Sequence, residues 1–259
     1  MAEYIKVPAG VYDMVTRCME QEFPDHVAIR YVAEDGKTVV EKKYREYAQD
    51  IRRMVAYLKA EVPDIKGQRI VLLSRNCYEF CVASYGIILA GGVLVTLNQK
   101  KTWDELEYEL GLSEPALIFT DGIDYGYAEE LKAAYGDKLR PMNAYEGSAP
   151  AALENRIDPD GLRMLLFTSG TTGRSKGVML SEKNYFTAIK MYIDGQKVMP
   201  EVAPKDMDQL FSHFTLVPMF HLSGFICYFA YGIQGWTLNL CADPRDMRRD
   251  MSMMHSDAM

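Results

Sequence analysis

A run of small, hydroxylated and cationic residues is the segment of this chain whose composition best suits chemistry. It follows the apolar residues Met164 to Phe167 and reads, from residue 168 to residue 177, T-S-G-T-T-G-R-S-K-G. Glycine permits positive φ, so successive backbone amides can turn into one concavity, and the hydroxyl groups add further donors. With the positive charge of Lys176, this composition predicts a loop that cradles a polyphosphate. We call residues 168–176 the phosphate loop.

A flexible hairpin turn has the same composition, and the residues alone do not decide between the two interpretations. The spacing also differs from G-x-x-x-x-G-K-[ST], the common phosphate-binding loop that opens a helix. Downstream, Gly177 to Leu180 is a short, largely apolar piece, and Ser181 is a candidate N-cap of the helix that follows. We therefore expect the phosphate loop to connect two strands.

The segment Phe167 to Val178 resembles the phosphate-binding loop of the adenylate-forming superfamily, whose pattern is [YF]-[ST]-S-G-[ST]-T-G-x-P-K-G-V. The chain departs from this pattern once, with Ser175 in place of proline. Two further segments in the expected order strengthen the resemblance. Residues Leu89 to Asn98 resemble the family's A-G-[GA]-x-x-x-P-[LV]-N, with Thr96 for proline, and Val217 to Gly224 resemble its P-x-F-H-x-x-G.

The resemblance implies a nucleotide site for ATP in the phosphate loop. Its residues at the matching positions are Thr168, Ser169, Gly170, Thr171, Thr172, Gly173 and Lys176. Thr168 matches the family position whose hydroxyl helps to hold magnesium. His221 matches a family histidine at the mouth of the acyl pocket, and a buried structural histidine is the alternative interpretation.

The implied activity is that of an ATP-dependent carboxylic acid–CoA ligase, in which a small carboxylic acid is activated as an acyl-adenylate and CoA is the co-substrate. The family's later motifs are absent from this sequence: Y-G-x-T-E with its magnesium-binding glutamate, T-G-D, the hinge and the C-terminal domain with its lysine. We therefore expect an N-terminal portion that is inactive by itself. A non-catalytic nucleotide-binding or interaction module and an adenylation domain of a peptide synthetase are the alternatives.

Elements of alternating type surround these motifs. Apolar runs predict strands at 27–33, 37–40, 69–73, 93–97 and 116–120, and apolar residues at helical spacing predict helices at 44–60, 77–89 and 102–112. This order predicts an α/β fold of two doubly wound, mainly parallel αβ subdomains. A segment rich in Ala, Asn, Gly and Pro predicts a linker at 143–160, between a first subdomain at 1–142 and a second at 161–259.

The composition of the chain limits which partners and which cellular location we expect. The chain has 259 residues, 48% hydrophobic, and a formal net charge of -7, so we expect no nucleic acid partner. Five cysteines without C-x-x-C and a start without a signal pattern favour the cytoplasm. Residues 214–241 lack charge, but Pro, His and Gly interrupt them, so we expect no membrane span. Oligomeric state is left open.

The last residues have the pattern of an amphipathic helix. Asp243-Pro244 is typical of a helix start, and Met247, Met251 and Met254 form one apolar stripe. No glycine or other C-cap signal follows them. We therefore expect the chain to stop inside a helix, as a fragment does, with a natural terminus on a docked helix as the alternative.

Overall fold

A computed structural model of the chain describes residues 7–155, 158–168, 174–198 and 211–256. The chain divides into two compact units that interleave along the sequence. Unit 1 consists of Met1–Gln49, Asn76–Tyr78 and Lys183–Met259, and unit 2 consists of Asp50–Arg75 and Glu79–Glu182. Within the described ranges, each unit contains one β-sheet.

The described elements alternate between strand and helix for most of the chain. The strands are β1 (Val27–Val32), β2 (Val39–Lys43), β3 (Arg69–Leu73), β4 (Val93–Thr96), β5 (Leu117–Thr120), β6 (Leu139–Pro141), β7 (Leu162–Thr168), β8 (Lys176–Ser181), β9 (Ser212–Thr215) and β10 (Thr237–Leu240). The α-helices are α1 (Val11–Asp13), α2 (Tyr44–Glu61), α3 (Tyr78–Ala90), α4 (Trp103–Ser113), α5 (Ala128–Tyr135), α6 (Glu182–Val198), α7 (Leu222–Gln234) and α8 (Met247–Met254). A π-helical segment (Met14–Glu22) follows α1, and two 3₁₀ turns lie at Gly136–Lys138 and Pro244–Asp246.

Unit 2 is built on a six-stranded sheet in the order β6-β5-β3-β4-β7-β8. All its pairs are parallel except β7 with β8. Every residue of β4 is buried, as is typical of a strand that helices cover on both faces. Helix α4 begins at the predicted capping box, in which Thr102 and Glu105 satisfy each other's backbone amides. The mainly parallel α/β class is confirmed.

Unit 1 contains a four-stranded sheet in the order β2-β1-β10-β9. The hairpin of β1 and β2 is antiparallel, as predicted, and β10 pairs in parallel with both β1 and β9. Aromatic side chains fill its core: the ring of Tyr185 packs edge-on against Phe225 and Phe229 at 5.7 and 6.0 Å between centroids. Buried Tyr44 donates its hydroxyl to the carbonyl of Trp236 at 2.6 Å, which ties α2 to the turn before β10.

The predicted domain boundary at 143–160 does not separate the two units. Strands β7 and β8, which follow that segment, lie in the same sheet as β3, β4, β5 and β6. The described part of the predicted linker is packed in unit 2, since Tyr145 is buried and Glu154 pairs with Lys59 at 2.8 Å. The composition of this segment indicates turns, but it does not show which sheet the strands that follow will join, because strand order depends on long-range pairing.

The end of the chain also departs from expectation. The carboxylate of Asp243 accepts the amide of Arg245 at 2.9 Å, so the predicted helix start is confirmed. Helix α8, however, ends at Met254, where His255 adopts the left-handed conformation with φ of 47°. Helix α8 therefore has a C-cap that the sequence did not indicate, because a histidine takes the role that glycine usually has.

Candidate functional site

The phosphate loop begins and ends on one antiparallel pair. Thr168, the last residue of β7, lies opposite Lys176, the first residue of β8, and both are exposed. The prediction that the loop connects two strands is confirmed. Its central residues, Ser169, Gly170, Thr171, Thr172 and Gly173, lie outside the described residues. The structure therefore describes the two ends of the phosphate loop. We call Thr168 its N-terminal arm and residues 174–176 its C-terminal arm.

The phosphate loop leaves the sheet at its carboxyl edge. Because β5, β3, β4 and β7 are parallel neighbours, their carboxyl ends lie along one edge of unit 2. Polar residues follow each strand there, among them Asp121 after β5, Ser74 after β3 and Gln99 after β4. In open α/β sheets this edge is where ligands bind. The hairpin thus presents Thr168 and Lys176 at a location suited to a nucleotide.

Asp121 organises part of this edge. Its carboxylate accepts the amide of Arg75 at 2.9 Å and the hydroxyl of Tyr125 at 2.9 Å. Burial, together with donation to this carboxylate, raises the pKa of Tyr125 above its ordinary value. Tyr125 therefore stays a neutral donor at physiological pH, and Asp121 acts as a structural acceptor between β3 and β5.

Helix α4 contacts the C-terminal arm of the phosphate loop. The guanidinium of Arg174 lies over the ring of Tyr108, 5.1 Å from the centroid. Lys101, just before α4, donates from Nζ to the hydroxyl of Ser175 at 3.2 Å. The same ammonium is paired with the carboxylate of Glu109, a side chain that is fully buried. Two contacts from the α4 region therefore hold the arm that leads into Lys176.

His221 belongs to unit 1 and precedes α7 as its N-cap residue. It is exposed, so the alternative of a buried structural histidine is wrong. Its backbone amide donates to the carbonyl of Pro218 at 3.1 Å, which closes a turn before the helix. A Cβ added to Gly224 would lie 2.6 Å from that same carbonyl oxygen, so the turn requires glycine at this position.

Asn76 fixes the segment that leads to His221. Its side-chain amide donates to the carbonyl of Val217 at 3.0 Å, and its carbonyl accepts the amide of Met219 at 2.9 Å. All these residues are in unit 1, although 141 positions of sequence separate Asn76 from Val217. A single buried side chain thus satisfies two backbone groups of a loop far away in the sequence.

Asn76, Lys101 and Glu109 were not predicted as site residues, although the sequence carries a signal for each. Asn76 follows a buried strand of the parallel sheet, and polar residues at such a position are a known signal for a site. Lys101 and Glu109 also gave a signal, because Glu109 occupies a core-facing position of α4 between Leu106 and Ser113. A carboxylate on the buried face of a helix requires a partner.

A family model described as "AMP-binding enzyme" matches residues 17–257. The chain belongs to the AMP-binding enzyme family. The predicted resemblance is therefore confirmed, and the phosphate loop, the segment after β3 and the turn before α7 all lie within the matched residues.

Relatives of this chain include CoA ligases. "4-Coumarate–CoA ligase-like 2" of Arabidopsis thaliana is 29% identical over 199 residues, which are 67% of this chain and 33% of the relative. "Long-chain-fatty-acid–CoA ligase" of Bacillus subtilis is 24% identical over 251 residues, which are 82% of this chain and 42% of the relative. The chain thus spans about a third to two fifths of the length of these relatives.

Solved structures share the fold. The o-succinylbenzoate CoA synthetase of Bacillus subtilis, in complex with its acyl-adenylate intermediate, superimposes with a TM-score of 0.76 at 22% identity, covering 94% of this chain and 47% of that one. ATP-bound MatB of Rhodopseudomonas palustris gives a TM-score of 0.75 at 21% identity, covering 94% and 48%. At this level of identity the likeness establishes the fold of this chain.

Proposed function

We propose that this chain supplies the ATP-phosphate-binding part of an ATP-dependent carboxylic acid–CoA ligase that activates its acid as an acyl-adenylate. The observation that carries the proposal is the β7–β8 hairpin. It presents the family loop from the carboxyl edge of a parallel sheet, with Thr168 opposite Lys176 at the two ends of that loop. Both residues are exposed and therefore accessible to a nucleotide.

Within this proposal the residues of the phosphate loop bind the β- and γ-phosphates of ATP. Lys176 contributes a positive charge, and the loop amides and hydroxyls contribute donors. Magnesium retains several waters and binds through substrate phosphates and few protein ligands, so the single hydroxyl of Thr168 suits it. Among the described residues no group of three or more His, Cys, Asp or Glu side chains could hold a metal ion.

We propose that His221 lies at the mouth of the pocket for the carboxylic acid. Its support is threefold: the family position, the exposed side chain, and the fixed backbone that Asn76 and the Pro218 carbonyl impose. The ring of Phe220 lies beside it, with 4.5 Å between ring centroids. An apolar ring beside a polar imidazole suits an acid with a hydrophobic body.

The proposed reaction transfers an adenylyl group. A carboxylate oxygen of the acid attacks the α-phosphorus of ATP, the bond to the bridging oxygen breaks, and pyrophosphate leaves with that bond's electron pair. The thiol of CoA then displaces AMP from the acyl carbon. Negative charge spreads over phosphate oxygens in the first step, so positioning and electrostatic stabilisation by groups such as Lys176 provide most of the catalysis.

The setting we propose is fatty-acid or related carboxylic-acid metabolism in the cytoplasm. A relative named for long-chain fatty acids supports the substrate class. No disulfide joins any of the five cysteines, all of which lie in the described residues, and this suits a reducing compartment. Within the described ranges, no helix has both the length and the apolarity needed to cross a membrane.

Pyrophosphate exchange into ATP, with a panel of carboxylic acids that includes amino acids, tests the proposal. The chain lacks the family's later motifs, so we expect ATP binding that depends on Lys176 but little exchange. Acid-dependent exchange that Lys176→Ala abolishes would show that the chain is itself an enzyme. Exchange with amino acids alone would favour the peptide-synthetase alternative. The non-catalytic module would be favoured if the chain binds ATP but gives no exchange, even after the segments that carry the later motifs are added from another family member.

A further inference from the structure

The phosphate loop departs from its family pattern at Ser175, and a charged side chain contacts that residue. Lys101 Nζ donates to the Ser175 hydroxyl at 3.2 Å and is also paired with Glu109. We infer that Lys101, held in place by the buried carboxylate of Glu109, is a positioning residue that fixes the C-terminal arm of the phosphate loop. The consequence for nucleotide binding rests on the proposed function, whereas the tether itself does not.

Burial makes the pair of Lys101 and Glu109 a rigid anchor. The Glu109 side chain has no exposed surface, and the Lys101 side chain is 18% exposed. The second carboxylate oxygen, Oε2, has no hydrogen-bond partner among the residues that the structure describes. Lys101 is therefore the group that compensates the buried charge, and separating the two would be costly. An ammonium constrained in this way directs one of its two other N–H groups toward Ser175.

The tether occupies the position that the family fills with proline. Proline fixes φ near −65° and so stiffens a turn without any side-chain contact. Serine has no such constraint, but its hydroxyl accepts a hydrogen bond. The next residue, Lys176, is the first of β8 and pairs with Thr168. Fixing Ser175 therefore fixes the cation that we propose to contact phosphate.

A second contact supports the same arm. The guanidinium of Arg174 lies over the ring of Tyr108, one residue before Glu109 on α4. Exposed cation–π pairs are weak by themselves. Together with the Lys101 contact, this pair places two consecutive loop residues, Arg174 and Ser175, against α4 and the segment just before it. The α4 region thus acts as the support of the loop's C-terminal arm.

Tryptic cleavage of the Arg174–Ser175 bond in the native protein tests the tether. Ser175→Ala removes only the hydroxyl acceptor and leaves the buried pair intact, so the protein should fold. We expect cleavage to become about fivefold faster, a fraction of the full effect of a hydrogen bond to a charged group because the site is partly exposed. Ser175→Thr, which keeps the hydroxyl, should restore the wild-type rate. Each rate is divided by that of the same bond in the urea-unfolded protein.

A second variant tests the role of the pair. The double substitution Lys101→Met with Glu109→Leu replaces both charges by apolar groups, which avoids leaving one charge buried alone. We expect it to match Ser175→Ala in cleavage and to add nothing when the two are combined. Lys100→Met, which removes the exposed neighbouring charge, is the matched control and should leave the rate unchanged. Equal cleavage in wild type, Ser175→Ala and the double variant would overturn the tether.

ATP affinity, measured on the same proteins, separates this inference from the proposed function. Faster cleavage together with several-fold weaker MgATP binding supports both. Faster cleavage in a protein that binds no ATP even as wild type leaves the tether standing and refutes the proposed function. ATP binding by the wild type with unchanged cleavage in all variants refutes the tether alone.

Discussion

Replacing Asn76 by alanine should destabilise unit 1 more than an ordinary polar substitution does. Asn76 is 8% exposed as a whole residue, and its side chain bonds to the Val217 carbonyl and to the Met219 amide. Alanine removes both hydrogen bonds at once, and its methyl group cannot replace them. The turn before His221 would then lose the contacts that fix its backbone.

The expected loss in the free energy of unfolding follows from these two hydrogen bonds. A neutral hydrogen bond contributes about 1 kcal/mol net, and a buried donor left without its acceptor costs a further 1–3 kcal/mol or so. The amide of Met219 is such a donor, since the bond it makes to Asn76 is buried. We therefore expect Asn76→Ala to lower the free energy of unfolding of unit 1 by about 2–4 kcal/mol.

Urea unfolding followed by the fluorescence of Trp236 measures this effect. The chain has two tryptophans, and Trp236 belongs to unit 1, so a Trp103→Phe background isolates its signal. Asn98→Ala is the matched control, because Asn98 makes an exposed turn contact in unit 2, to the amide of Lys100 at 2.9 Å. A loss below about 0.5 kcal/mol for Asn76→Ala, the range of ordinary surface changes, would refute the reasoning.

Two further predictions concern unit 2. Gly86→Ala would place a Cβ 2.3 Å from Cγ of Met54 and should lower the stability by about 1–3 kcal/mol through overpacking. At Gly111, by contrast, an added Cβ meets nothing within 4 Å, so Gly111→Ala should stabilise α4 by up to about 1 kcal/mol. Thermal unfolding of both variants checks that the two changes in stability have opposite signs. The pKa of Glu105 lies below its ordinary 4.5, chiefly because its carboxylate accepts the backbone amide of Thr102. Its stabilising contribution is therefore present above pH 4.5 and fades as the pH falls through the lowered pKa. Glu105→Gln should abolish this pH dependence, which is measured as the free energy of unfolding at a series of acid pH values. The same dependence of stability on pH in Glu105→Gln and in the wild type would contradict this prediction.

Local sequence patterns predicted most elements of the fold. Strand β3 begins and ends at the predicted residues, and α4 begins at the predicted capping box. These features depend on residues within a few positions of one another, so a single sequence reveals them. The parallel pairing of β1 with β10 does not, because it joins residues such as Ile29 and Leu238 that no local pattern connects. The domain boundary failed for the same reason.

The residues of the candidate site also divide into those that a local pattern reveals and those that only distant contacts explain. The composition of the phosphate loop and of the turn before α7 is visible in short segments, so the sequence alone was enough to propose Thr168, Lys176 and His221 as site residues. Asn76 was missed because its partners lie more than 140 positions away. Glu109 was missed although it is a charge on the apolar face of an amphipathic helix, a local anomaly that predicts a buried partner.

Equilibrium binding of MgATP and of AMP to wild type and Lys176→Met is the most direct test of the central claim, that the β7–β8 hairpin presents a polyphosphate site. Lys176 is exposed and opens β8. We expect ATP to bind more tightly than AMP, and Lys176→Met to weaken ATP binding about tenfold, which corresponds to ~1.4 kcal/mol, while AMP binding changes little. Lys183→Met, an exposed lysine in α6, should leave both affinities unchanged. Equal binding of ATP and AMP, or unchanged ATP affinity in Lys176→Met, would contradict the account.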